Sequence, residues 1–191
     1  PMATEWKDAI RFGGIYDINA ARAKFASEEC GGVPVYDDFG RMLDEARPDV
    51  VIVASTDATH HEYIVRSLAA GCDVITEKPM TIDEEKCRAI LQAERDSGKK
   101  VTVTFNLRYA PYFAKVKELI QAGAIGDVNH IDLEWFLDRR HGADYFRRWH
   151  AEMKNSGGLL VHKATHHFDI VNWWMNSRPA VVHAFGTRVK Y

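Results

Sequence analysis

The segment Cys72-Asp73-Val74-Ile75-Thr76-Glu77-Lys78-Pro79-Met80-Thr81 sets a lysine at the end of a short apolar run. Sheets of α/β proteins bind ligands outside the carboxyl ends of their strands, so an ammonium group there stands where a ligand would lie. Proline at position 79 fixes its own φ and biases Lys78 towards an extended backbone, which helps to aim the side chain. A second candidate group lies far downstream. Gly157-Gly158 is followed by Val161-His162-Lys163-Ala164-Thr165-His166-His167-Phe168-Asp169. Imidazole titrates near pH ~6.5 and suits proton exchange close to neutrality. An ammonium group can hydrogen-bond a reacting hydroxyl and stabilise developing alkoxide charge. On one helix His162 and His166, four apart, would share a face, and Lys163 and His167 would form a second pair. Two plainer readings stand beside this one. Lys78 is a solvated turn lysine and the histidines cap or pack at a helix start, or the histidines and Asp169 are metal ligands at helical spacing, without a clear third ligand.

The elements that must position these residues follow from the pattern. Arg11 to Asp17 reads as a short strand ending in an acid, and Ala20 to Glu29 as a helix. Val33 to Tyr36 is a strand, and Asp37 and Asp38 cap a helix with Phe39, Met42, Leu43 and Ala46 on one side. Val50 to Ala54 is a β-branched run, as in a central parallel strand buried on both faces. Ser55-Thr56-Asp57 breaks the chain, and His60 to Ala70 is a helix stopped by Gly71. Val74 to Thr76 is the next strand. Thr81-Ile82-Asp83-Glu84 has the form of a capping box opening a helix to Ser97, which Gly98 closes. Val101 to Phe105 is a strand, and Pro111 to Ala122 a helix with Phe113, Val116, Leu119 and Ile120 on its apolar face.

This βα alternation implies a doubly wound parallel sheet, part of a Rossmann fold. After Gly126 the grammar changes. Val128 to Leu137 alternates like the first strand of an open, mostly antiparallel sheet in a second α+β domain. Residues 1–124 therefore read as a dinucleotide-binding domain and 125–191 as the start of a second domain. Asp138 to Gly158 is irregular, Thr165 to Met175 is a helix, and Val181 to Tyr191 begins another strand.

Composition sets limits. The 191 residues are 46% hydrophobic and 27% charged, which suits a folded globular protein. A formal net charge of −2 gives no electrostatic case for nucleic acid or an acidic membrane surface. No apolar run approaches the roughly 20 residues that span a bilayer. Cys30, Cys72 and Cys87 show no CxxC spacing, so a reducing cytoplasm is the default compartment. The first residues do not resemble a natural start, which leaves an export signal on a longer parent open.

Asp17 closes what would be the second strand of a dinucleotide fold. A carboxylate there accepts hydrogen bonds from the adenosine ribose and repels a 2′-phosphate, which selects NAD over NADP. The G-x-G-x-x-G turn expected about 20 residues earlier is absent from 1–11. The chain is thus expected to be an internal piece without the first strand and phosphate loop, and by itself a poor dinucleotide binder. Trp149, upstream of Gly157-Gly158, would close over a nicotinamide and exclude water, or pack in the core.

Val51 to His60, Glu77-Lys78-Pro79, Asn106-Leu107-Arg108-Tyr109 and Gly157-Gly158…His166-x-x-Asp169 occur in an order and spacing that resemble the Gfo/Idh/MocA oxidoreductases, a group with glucose–fructose oxidoreductase and inositol dehydrogenase among its members. The resemblance runs from about Phe12 to the end. It implies hydride transfer between a nicotinamide cofactor and a sugar, polyol or inositol-like substrate, and a homo-oligomer built through the second-domain sheet. It implies that Lys78 binds the reacting hydroxyl and His166 acts as acid and base, with His162 orienting it or the substrate. Ser55, Thr56, His60, Glu77, Pro79 and Asn106 would line the cofactor cleft, and Arg108 would sit near the domain junction. Two positions depart from the family pattern. His162 stands where many members have Asp, and Ala164 where many have Gly.

Overall fold

The computed structural model describes Glu5, Trp6 and residues 8–187. Five strands and their helices follow the expected alternation. β1 (Ile15–Tyr16), α1 (Ala20–Glu29), β2 (Val35–Tyr36), α2 (Phe39–Ala46), β3 (Val50–Val53), α3 (His60–Ala69), β4 (Asp73–Thr76), α4 (Glu84–Ser97), β5 (Val101–Val103) and α5 (Pro111–Gln121) make the first half. All ladders are parallel. They form two sheets, β1–β2 and β3–β4–β5.

Local chemistry explains the helix ends. The Asn19 side chain accepts from the N–H groups of Ala21 and Arg22 at 3.0 and 3.2 Å and starts α1. Asp38 accepts from Arg41 N–H at 2.8 Å and starts α2. At α4 the cap is Asp83, which accepts from Lys86 N–H at 2.9 Å. The box anticipated from Thr81 is not formed. Thr81 lies two residues too early and is buried, whereas Asp83 has the extended backbone that a cap requires. Gly98 takes the left-handed conformation that ends α4.

One core joins both sheets. Phe39, Met42 and Leu43 of α2 meet Val51 and Val53 of β3, Ile64 and Leu68 of α3, Val74 of β4 and Ile90 of α4. Each such apolar side chain stabilises the fold by about 1.5–3 kcal/mol when fully buried. Tyr16, Phe39 and Tyr63 pack with ring centroids 4.9–6.0 Å apart and tie β1 to this core. The expectation that β3 is buried on both faces fails. Val51 and Val53 are buried, but Val50 and Ile52 are 44% and 51% exposed, because among the described residues nothing covers their face of the sheet.

The second half is α6 (Arg139–Ala143), α7 (Met153–Ser156), α8 (Leu159–His162) and α9 (Thr165–Met175), with 3-10 turns at Asp144–Phe146 and Trp149–Ala151. Two expectations are corrected here. Residues 128–137 form no strand, and neither do 181–187, while 188–191 lie outside the described residues. Alternation marks two faces but supplies no ladder partner. Instead Trp135 stacks on Phe113 at 6.2 Å and lies 4.5 Å from the His167 ring. On α5 the buried pair is Phe113 and Lys117, while Val116 and Leu119 are substantially exposed. The face that meets α9 runs i, i+4 through Phe113 and Lys117. There the Lys117 ammonium donates to the carbonyls of Trp173 and Trp174 at the α9 carboxyl end, where a cation is favoured.

Candidate active site

β3 and β4 run in register from Val50 opposite Asp73 to Val53 opposite Thr76, so their carboxyl ends lie side by side. Two turns leave them, one through Ser55, Thr56 and Asp57 and one through Glu77, Lys78 and Pro79. His60 fastens the turns together. It is fully buried, with Nε2 3.0 Å from the Ser55 carbonyl and Nδ1 2.9 Å from the Pro79 carbonyl. It is a clasp between two backbones rather than a free side chain of a cleft. Ser55 and Glu77 are exposed and Thr56 is half-buried. The Glu77 carboxylate accepts from Lys78 N–H at 3.1 Å, and the Lys78–Pro79 peptide is cis.

The histidine segment reaches Lys78 through a close backbone approach. Gly157 has φ +68°, and a Cβ there would lie 2.8 Å from the Ile82 carbonyl oxygen. Only glycine lets the α7–α8 turn press so near the chain just past Lys78. Gly158 follows with φ +85° and begins α8. The result is a contact between segments far apart in sequence, in which Lys78 Nζ donates to the His162 carbonyl at 2.9 Å.

His162 and His166 do not share one helix. His162 ends α8, His166 lies in the first turn of α9, and Lys163–Ala164 breaks the path. The break still leaves both side chains buried, with Lys78 reaching the His162 carbonyl and close enough to act on His166. Two ties hold α9. Arg108, in the turn after β5, donates from Nε to Asp169 Oδ2 at 2.8 Å and from a terminal nitrogen to Oδ1 at 2.5 Å. Lys117 caps the other end. Arg108 is thus committed to Asp169, which holds its guanidinium above the ordinary arginine range.

The electrostatics are distinctive. Burial lowers the Lys78 ammonium below the usual lysine value, Lys163 pushes the same way, and Asp57 and Glu77 oppose them. Burial also lowers Lys163. His166 is 5% exposed and is pushed down to about 4, first by burial and then by Lys78, Lys163, His167 and His162. It is therefore a neutral imidazole at neutral pH. Its Nδ1 is buried and has no hydrogen-bond partner among the described residues.

Asp57 was not singled out by sequence reasoning beyond its place in a chain break. It is 3% exposed, and its Oδ2 lies 2.5 Å from His162 Nδ1. The available signal was an acid four residues past the end of a β-branched strand. The His162 ring is walled by Trp149, Tyr145 and His150, with centroids 4.6–5.6 Å away. Trp149 itself stacks on His150 at 3.8 Å. Among the described residues no group of three or more His, Cys, Asp or Glu could hold a metal ion, so the metal-enzyme reading finds no ligand set there.

Asp17 stands just past β1, as expected, but is engaged. Arg22 of α1 holds it with two bonds of 3.0 and 3.1 Å and keeps its carboxyl below the usual range. Asn106 is exposed at the end of the β5 segment. A dinucleotide fits this donor set. A carboxylate lies at the β1 end, exposed polar groups at the β3 and β4 ends, and an orphaned buried imidazole nitrogen beside a desolvated ammonium.

Parallel strands with helical crossovers, polar turns at their carboxyl ends and a buried Lys–His cluster define a Rossmann-type dinucleotide fold of the dehydrogenase kind. The chain belongs to the Gfo/Idh/MocA oxidoreductase family. Residues 2–105 match the model described as "Oxidoreductase family, NAD-binding Rossmann fold", and 117–190 the one described as "Oxidoreductase family, C-terminal alpha/beta domain". The chain is 44% identical over 191 residues to the Bacillus subtilis oxidoreductase YteT, covering 97% of this chain and 45% of that protein. It is 26% identical over 176 residues to the inositol 2-dehydrogenase/D-chiro-inositol 3-dehydrogenase of Lactiplantibacillus plantarum, covering 91% and 47%. Among solved structures, scyllo-inositol dehydrogenase from Lactobacillus casei with bound NAD(H) and scyllo-inositol superimposes with a TM-score of 0.74 at 26% identity, covering 92% of this chain and 51% of that one. The chain spans about half the length of the curated relatives it matches. No described helix is long and apolar enough to cross a membrane.

Proposed function

We propose that the protein to which these residues belong is an NAD-dependent dehydrogenase that oxidises a secondary hydroxyl of a sugar, polyol or inositol-like substrate. One observation carries this reading: a desolvated lysine ammonium is held against two buried histidines at the strand carboxyl ends of an NAD-binding fold. Lys78 binds the reacting hydroxyl and stabilises the developing alkoxide, and one of the two imidazoles, His166 or His162, receives the proton. Bound NAD⁺ supplies the hydride acceptor at nicotinamide C4. Asp17, Ser55, Thr56, Glu77, Pro79 and Asn106 border its cleft, His60 keeps the two turns in register, and Trp149 shields the histidines from water. A homo-oligomer through the second domain accompanies this reading.

The test is NAD⁺ reduction by the purified protein with inositols, hexoses and glucosides as substrates. Lys78→Ala should nearly abolish turnover on whichever substrate is oxidised while leaving the thermal midpoint close to wild type. Undiminished turnover in that variant overturns the assignment.

A further inference from the structure

Asp57 is a buried carboxylate set among cations and imidazoles. Lys78, Lys163, His162, His166 and His167 all contribute to the same neighbourhood. A carboxylate in such a place is costly to bury unless it is paired. Its partner is His162 Nδ1, at 2.5 Å, with both side chains at or below a tenth exposed. A carboxylate oxygen only accepts, so Nδ1 carries the hydrogen. That fixes one tautomer and leaves the lone pair on Nε2. The backbone of the same residue is held separately, because the His162 carbonyl accepts from Lys78. The hydroxyl-binding ammonium and the imidazole are thereby tied to one residue. His166 lacks any such support: its Nδ1 has no partner among the described residues.

We infer that Asp57 and His162 form a carboxylate–imidazole dyad, with Asp57 as a positioning residue and His162 as the group that accepts the substrate's hydroxyl proton at Nε2. This inference rests on the dehydrogenase reading above and assigns its proton. The O–H bond breaks and its proton passes to Nε2. The oxygen's electron pair forms the carbonyl bond as the carbinol hydrogen leaves as hydride to NAD⁺, so the substrate loses two electrons and NAD⁺ gains them. Asp57 keeps its charge throughout and offsets the positive charge arriving on His162, in a site already crowded with cations. His166 remains neutral and acts as a hydrogen-bonding contact. The low value that burial and its cationic neighbours impose on His166, about 4, agrees with that division.

Two measurements test the dyad. In the first, the chain is labelled with ¹⁵N-histidine and the His162 signals are assigned by their loss in His162→Asn. The expected spectrum shows Nδ1 protonated and Nε2 bare in wild type, with that preference lost in Asp57→Asn at an unchanged fold by circular dichroism. An Nε2–H tautomer, or a tautomer indifferent to Asp57→Asn, overturns the inference. The second uses NAD⁺ with myo-inositol as the probe substrate. Asp57→Asn should lower kcat by about 10²–10⁴-fold, the contribution typical of general-base catalysis, with KM nearly unchanged. Adding it to His162→Asn should cause no further loss, because the two residues act as one unit. Additive losses, or a single-variant loss under about threefold, overturn it. Absence of turnover by wild type on this probe excludes myo-inositol as the substrate, and the tautomer measurement then decides the dyad.

Discussion

Lys78 Nζ donates to the main-chain carbonyl of His162 at 2.9 Å, joining residues 84 positions apart. Proximity of this ammonium also depresses His166. In Lys78→Met the stem remains and the charge is lost. His166 should then titrate above its present value of about 4, since one of its cationic neighbours is gone. Histidine NMR titrations of the two proteins provide the check, and identical His166 curves would show that the ammonium does not act there.

Buried neutral His166 makes stability depend on pH on the acid side. Its folded value, about 4, lies below the ordinary 6.5, so between these limits the unfolded chain binds a proton that the folded chain does not. The contribution is complete above the ordinary value and is lost progressively as pH falls towards 4. Urea midpoints measured at pH 7 and pH 5 should therefore converge in His166→Gln relative to wild type.

Arg22 occupies both oxygens of Asp17. In Asp17→Ala the guanidinium is released and can pair with a 2′-phosphate, while the ribose loses its acceptor. The ratio of NADPH to NADH affinity should rise by about tenfold or more, equivalent to about 1.4 kcal/mol. Fluorescence titration with both nucleotides measures it, and an unchanged ratio would mean that Asp17 does not face the ribose.

Gly157→Ala tests the approach that brings the histidine segment to Lys78. The left-handed backbone alone costs roughly 1–3 kcal/mol for a residue with a Cβ. The new atom would also lie 2.8 Å from the Ile82 oxygen. A lower urea midpoint and a smaller effect of Lys78 on the His166 titration are expected. A variant as stable as wild type would show that this turn can retreat freely.

The sequence was most readable where structure is decided locally. The bounds of α1 and α9 and the stop of α4 at Gly98 followed from caps, glycines and periodicity. The place of Lys78 at a strand end was legible for the same reason, since Pro79 beside it is a strong turn signal. Asp57 was not, because its meaning lies in a partner 105 residues away. The split between α8 and α9 was hidden too, since His162-Lys163-Ala164-Thr165-His166 contains no glycine or proline to mark it. The alternation at 128–137 suggested a strand, but strand formation depends on distant pairing that no local pattern encodes. Lys117 is a similar case: its stem serves as packing material, and only its end finds carbonyls.

The exposed side of β3 has a consequence for handling the chain. Among the described residues β3 is paired on one flank alone, by β4, and it offers Val50 and Ile52 to water. A β-branched strand with open amide and carbonyl positions is a template for any extended peptide, including another copy of itself. At high concentration this flank is where self-association would begin. A short peptide of alternating valine and lysine, zipped along Val50–Val53, should act as a chaperone for the isolated chain by closing its ladder.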